Sequence, residues 1–292
     1  MSVALERRAL LAYTLLLMIA TVALESIVPP TATLPSDGAS APLLLYLAWV
    51  VWHSVEVRGS RLTAQFVAVA AALAFATEAM VLNTTEMFHH NLHPQVLQVP
   101  FQIVCGWIVY LYAGYAMTVS LVSPVESWKG AVAFCVVAAL VTTALDLTAD
   151  PVGVRLGAFT YHQGGAFVPE IEGTNGAHGI PLATYVGWML VATSTYVLVW
   201  LGSRTSSADQ ARGRVEALLF YLSVFLATAI PALRLGYAQL LLIGGLPVAL
   251  VALLVTYRLI ADRRARGLAV RRGRERARVT NLADRRFAIH RR

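Results

Sequence analysis

The sequence predicts an all-α fold, a polytopic membrane bundle of about eight transmembrane helices with both termini cytoplasmic, and three observations predict it. Of 292 residues, 58% are hydrophobic and 13% charged, and the mean hydropathy of +0.64 is too high for a water-soluble domain. The apolar residues gather into eight runs close to the 20 or so residues that a hydrocarbon core about 30 Å thick requires. In the topology these runs define, 21 of the 23 Lys and Arg lie on one side, with Arg155 and Arg234 on the other. The positive-inside rule makes the crowded side, with both termini, cytoplasmic, so the chain is expected to be a multi-pass protein of the cell membrane.

The runs lie near residues 9–28, 42–56, 62–83, 98–121, 129–148, 181–202, 214–233 and 237–261. The first is too long for a removed signal peptide and lacks a small-residue cleavage site, so it counts as a helix; Pro29-Pro30 ends it. The second is short enough to be tilted or incomplete. The third opens at Arg61 and carries Glu78 17 residues on, about 26 Å along a helix, and the fifth opens at Lys129 and carries Asp146 after the same interval. Two helices thus each place one carboxyl at a matching level in the outer third of the membrane. Such a group costs about 2.5–3.5 kcal/mol on insertion scales and marks a functional position by default. Asp150 follows Asp146 at i+4, and Pro151 disfavours helix at Asp150 itself, which reads as nearer water or as a cap.

The fourth run enters at Val99-Pro100 and carries Trp107, Tyr110, Tyr112 and Tyr115, while the sixth enters at Pro181 with Tyr185 and Trp188 one turn apart. Helices seven and eight hold Pro231, Gly244-Gly245 and Pro247 but no deep acid, as packing elements do. Cys105 and Cys135 fall inside helices and read as small core residues. One transmembrane domain therefore spans 1–262, followed by a basic cytoplasmic tail at 263–292. A basic segment after a last helix gains roughly 1 kcal/mol per residue from anionic lipid, which is the expected partner here rather than nucleic acid.

Several chemistries can be weighed on residue type and spacing. His89, His90 and His93, with His162 and His178 in a later loop, are metal-ligand types, but membrane di-iron enzymes need several such clusters, and no metal is expected. The Asp146-x3-Asp150 pair has the spacing of aspartate-rich motifs that hold magnesium diphosphate in membrane prenyltransferases. Those enzymes also need a second such motif and basic clamps, and Arg155 is the sole candidate clamp. There is no Walker A sequence, no dinucleotide fingerprint and no GxSxG.

The stretch Leu145 to Trp188 contains D-x3-D-P, glycines at Gly157 and Gly164-Gly165, and a closing G-I-P-L-x4-G-W. With Glu78 and V-P-F-Q-I-V-C-G-W-I-V-Y-L-Y at Val99 to Tyr112, it resembles the membrane-bound carotenoid biosynthesis family that includes the carotenoid 1,2-hydratases of cyanobacteria and haloarchaea, of the bisanhydrobacterioruberin and γ-carotene hydratase type. The resemblance covers about Thr77 to Trp188. It departs from the family at Thr184, where an asparagine is usual, and at 166–177, where a compact aromatic-glycine run is usual.

The resemblance implies hydration of the terminal double bond of an acyclic carotenoid, a reaction that requires no cofactor. Its chemistry suits the residues. A carboxyl in an apolar site can keep its proton and act as general acid, and aromatic faces stabilise a carbocation. Asp146 is then the expected acid, Asp150 the group that orients or deprotonates water, and Glu78 an alternative acid at the same depth; Trp107, Tyr110, Tyr161, Tyr185 and Trp188 would hold the substrate. The alternatives are a membrane prenyltransferase or lyase acting on isoprenoids, and a non-catalytic carotenoid or lipid carrier. The charge distribution makes a direct prediction: a reporter fused after Arg292 is expected in the cytoplasm and one inserted within 166–177 outside, as read by protease or thiol accessibility.

Overall fold

The computed structural model describes residues 3–27, 40–122, 127–172, 178–202 and 213–265. The basic tail beyond 265, with its expected lipid contact, and residues 173–177 of the departing loop lie outside the described residues. The chain divides into two compact units at Ala252/Leu253; the described part of the second is helical, and the first holds all that follows.

The fold is an all-α helical bundle, as the apolar runs dictate. Its helices are α1 (Val3–Ile27), α2 (Ser40–Arg58), α3 (Ser60–Thr84), α4 (Phe101–Leu121), α5 (Trp128–Arg155), α6 (Leu182–Gly202), α7 (Arg214–Arg234) and α8 (Ala238–Ile243). Among the described residues seven helical segments are long and apolar enough to cross a membrane. The polar residues of α2 make contacts inside the bundle. The His53 ring bonds the Tyr112 hydroxyl at 2.7 Å and meets the Gly213 carbonyl at 3.1 Å, and Thr63 donates to Ser54 at 2.9 Å. Trp49 stacks between Phe220 and the His53 ring at 3.7 and 4.5 Å.

Four helices form a closed ring in which α3 packs on α4 and α6, and α5 packs on α4 and α6. The α4–α5 seam is the tightest part. A Cβ added to Gly114 would lie 1.9 Å from the Thr142 hydroxyl and 3.0 Å from its Cα, so only glycine permits this approach. On the other side of the seam Tyr196 of α6 donates to the Leu111 carbonyl at 2.7 Å and meets the Thr142 hydroxyl at 2.5 Å, which ties three helices at one level.

Two features depart from the sequence reading. First, α5 does not stop at Asp150 but continues through Pro151 to Arg155, so Asp150 is buried rather than close to water. The turn after Pro151 places Val152 and Val154 in an apolar cluster with Tyr161, Ile180 and Leu240, and that burial outweighs the local cost of proline. Second, short antiparallel ribbons cross the end of the ring where the sequence suggests only loops. They are β1 (Phe88–His90) with β4 (Phe159–Tyr161), β2 (Gln95–Val96) with β3 (Val99–Pro100), and β5 (Phe167–Glu172) with β6 (His178–Ile180). The ladders pair backbone groups of these connections with one another. Gly114→Ala is expected to loosen the α4–α5 seam and lower stability by about 1–3 kcal/mol, measured as a falling thermal midpoint in detergent.

Candidate active site

The inward face of α5 runs through Ala138, Thr142, Asp146 and Asp150, four residues apart and all buried. Thr142 closes the floor through Gly114 and Tyr196. One turn above it lies a cavity of about 250 Å³ inside the four-helix ring. Asp146 and Asp150 line it from α5, Glu78 from α3, Trp107 and Tyr110 from α4, and Thr184 and Trp188 from α6.

Asp146 is wholly removed from solvent, and no hydrogen-bond donor reaches either of its carboxyl oxygens. The group facing it is the Asp150 carboxyl, and a bond between two carboxyls forms only when one of them holds a proton. Asp150 Oδ2 accepts the Tyr161 hydroxyl at 3.2 Å, and that hydroxyl also meets Thr184 at 3.2 Å. Burial, and then the nearby Asp150 carboxyl, pushes the Tyr161 phenol well above its ordinary range, so it remains a donor. Thr184 thus keeps a polar contact to this tyrosine.

Glu78 is held differently. Its Oε1 accepts the Trp107 indole N–H at 2.9 Å, and its Oε2 meets His90 Nε2 at 3.2 Å. Both oxygens are therefore engaged. The Trp107 ring stacks on Trp188 with centroids 3.6 Å apart, and Tyr110 lies 5.7 Å from Trp188, so one wall presents aromatic faces to the carboxyls.

Glu78, Asp146 and Asp150 thus share one cavity, together with Trp107, Tyr110, Tyr161 and Trp188. Tyr185 does not join them. It points to the other side of α6, packs 4.9 Å from Phe167, and lines a separate apolar groove with Leu147 and Val186. Helical phase explains the difference, because Thr184 and Trp188 stand four apart on the ring-facing side of α6 and Tyr185 is a third of a turn away.

The histidines do not gather as a ligand set. His89 stacks on His162, with Nδ1 to Nε2 2.9 Å apart, while His90 turns inward to Glu78. Partial burial, and then the second imidazole, lower the His89 pKa. Among the described residues no group of three His, Cys, Asp or Glu is arranged to hold a metal ion.

Sequence reasoning overlooks part of the lining. Phe88 and His90 of β1 and Phe159 and Tyr161 of β4 face the cavity, while His89 and Thr160 between them do not. The period-two alternation in F-H-H and F-T-Y carries this signal, but three residues are too few to announce a strand. Gly106 and Gly187, each directly before a cavity tryptophan, also line it.

The fold and the site together define a polytopic helical membrane protein whose bundle encloses a cavity of aromatic rings and buried carboxyls. The family model described as carotenoid biosynthesis protein matches residues 38–258, and the chain belongs to that family, which makes it a protein of carotenoid biosynthesis. No curated protein and no solved structure matches it.

The geometry around Glu78 gives a direct test. His90→Ala and Trp107→Phe each remove one group held against a half-buried carboxylate, and each is expected to lower stability by about 1–3 kcal/mol in detergent melts, with the double variant less than additive.

Proposed function

We propose that this protein hydrates the terminal double bond of an acyclic carotenoid end group, by general-acid protonation followed by addition of water. The observation that carries this reading is the Asp146 carboxyl, wholly buried, without a hydrogen-bond donor on either oxygen, and lining a cavity walled by aromatic rings.

In the proposed reaction the Asp146 carboxyl gives its proton to the less substituted carbon of the terminal alkene. The alkene π pair forms the new C–H bond and leaves a tertiary cation on the neighbouring carbon. The stacked Trp107 and Trp188 rings and the Tyr110 ring lie where their faces can stabilise that charge. A water molecule forms the C–O bond and then returns a proton to the Asp146–Asp150 pair, so the net change is addition of one water and the acid is regenerated.

Glu78 has a distinct part. Its oxygens already meet Trp107 and His90, which suits it to face positive charge, whereas Asp146 meets no N–H or hydroxyl donor, only the Asp150 carboxyl, and is free to donate. Asp150, buried and bonded to Tyr161, shares the proton with Asp146 rather than working from the water side. No Lys or Arg is among the described residues lining the cavity, so a diphosphate would find no cationic clamp there; this favours a neutral hydrocarbon over the substrate of a prenyltransferase. With the basic residues cytoplasmic, the acid-bearing end faces the outer leaflet of the cell membrane, where one end of a bilayer-spanning polyene meets water.

The test is expression in cells that make lycopene, with carotenoids read by mass for a gain of one or two waters. Asp146→Asn and Glu78→Gln are each expected to cut turnover at least about a hundredfold while carotenoid retention persists, and Asp150→Asn to fall less steeply. Hydration at the wild-type rate by Asp146→Asn would remove Asp146 from the acid role.

A further inference from the structure

Glycine inside a helix is less stable than alanine, and membrane bundles keep it where a neighbour packs against its bare backbone. Several helical glycines here follow that rule: a Cβ on Gly114 would strike Thr142, on Gly153 Phe159, and on Gly202 Gln65. Gly106 of α4 and Gly187 of α6 do not. A Cβ on either would meet nothing within 4 Å, and neither has a positive φ that would demand glycine. Both line the carboxyl cavity, and each directly precedes one of the two stacked tryptophans, as Gly106-Trp107 and Gly187-Trp188.

In the four-helix ring, α4 and α6 stand across the cavity from each other, with α3 and α5 between them. The two glycines therefore line the same space from two different helices. The empty volume itself accounts for them, since no packing contact or backbone twist does. Into the same space faces Asp146, buried and without a donor on either oxygen.

We propose that Gly106 and Gly187 are specificity-determining residues: they hold the cavity open to the methyl-branched end of a long acyclic isoprenoid chain, and the side-chain volume at these two positions sets how much of that chain enters. This inference rests on the hydration reading for the identity of the ligand but not for its logic, which concerns size. The cavity of about 250 Å³ lies below the roughly 300–1,000 Å³ of sites that enclose a drug-sized ligand, so a C40 polyene places only its end among the carboxyls. In a space this small, methyl-sized changes at the wall are felt, on the order of 10–200-fold per methylene in tight apolar pockets.

The experiment uses the full-length protein in lycopene-producing cells, with Gly106→Leu, Gly187→Leu and the double variant Gly106→Ala/Gly187→Ala. Three quantities are read: lycopene retained per purified protein, hydrated product, and thermal midpoint in detergent. Both leucine variants are expected to retain at least about tenfold less lycopene than wild type, with hydrate falling in step. The double alanine variant is expected to show an equal or higher thermal midpoint, because the added methyls meet no protein atom and favour helix, together with a smaller loss of lycopene. If the leucine variants fold and retain lycopene as wild type does, the proposal is overturned. Should they fail to fold, the double alanine variant decides, and unchanged retention there overturns it equally. A wild-type protein that retains lycopene but never adds water would sink the hydration reading alone, and loss of retention in the glycine variants would still support their role in admitting the chain.

Discussion

A carboxyl with no donor, sealed inside a helical bundle, is the constraint from which the rest of this structure follows. Asp146 costs about 2.5–3.5 kcal/mol at membrane depth by insertion scales, and no N–H or hydroxyl donor returns that energy. Such a group persists only where surrounding packing fixes the helix that carries it. One turn below, Thr142 is pressed against Gly114 and bonded to Tyr196, and Tyr196 in turn grips the Leu111 carbonyl. From α7, Tyr221 donates to the Val141 carbonyl at 2.9 Å. α5 is thus anchored from three neighbours just beneath the acid, and the cavity above it has a floor that cannot slide.

The end of the ring is closed by a different device. Strands β1 and β4 lie antiparallel, with Phe88 opposite Tyr161 and His90 opposite Phe159, and their alternation turns aromatic and imidazole rings inward. The rings meet edge to face, Phe88 with Tyr161 at 5.6 Å and His90 with Phe159 at 5.8 Å. Edge-to-face packing is directional, so these contacts orient Tyr161 and His90 as well as burying them. Tyr161 then reaches Asp150, and His90 reaches Glu78. Each carboxyl of the cavity is in this way set by a separate element: Asp146 by the α5 face, Asp150 by β4, and Glu78 by β1 and α4.

The three carboxyls are consequently unequal. Glu78 has both oxygens engaged, Asp150 accepts from a phenol and faces Asp146, and Asp146 meets only that second carboxyl. All three lie against the same aromatic wall, and their hydrogen-bond partners differ. Trp107 links the carboxyls to that wall, since its indole N–H bonds Glu78 while its ring stacks on Trp188 beside the space lined by Gly106 and Gly187.

The sequence by itself determined the helical membrane class, the approximate runs, and the two deep carboxyls, because apolar length and isolated charge are local properties that survive without knowledge of neighbours. It also carried the family, through residues spread from Thr77 to Trp188. Only the tertiary structure decided that α5 continues past Pro151 and buries Asp150, since the energy that favours this comes from a cluster with Tyr161, Ile180 and Leu240, the last two distant in sequence. It likewise decided that Tyr185 faces away while Trp188 faces in, a matter of helix phase against a ring whose packing the chain does not spell out. His90 reads in sequence as one of a histidine group and proves to be the partner of Glu78, because a three-residue ribbon pairs with another some 70 positions later. Long-range pairing and packing against empty space leave almost no local trace; burial and charge do, and that is where the division falls.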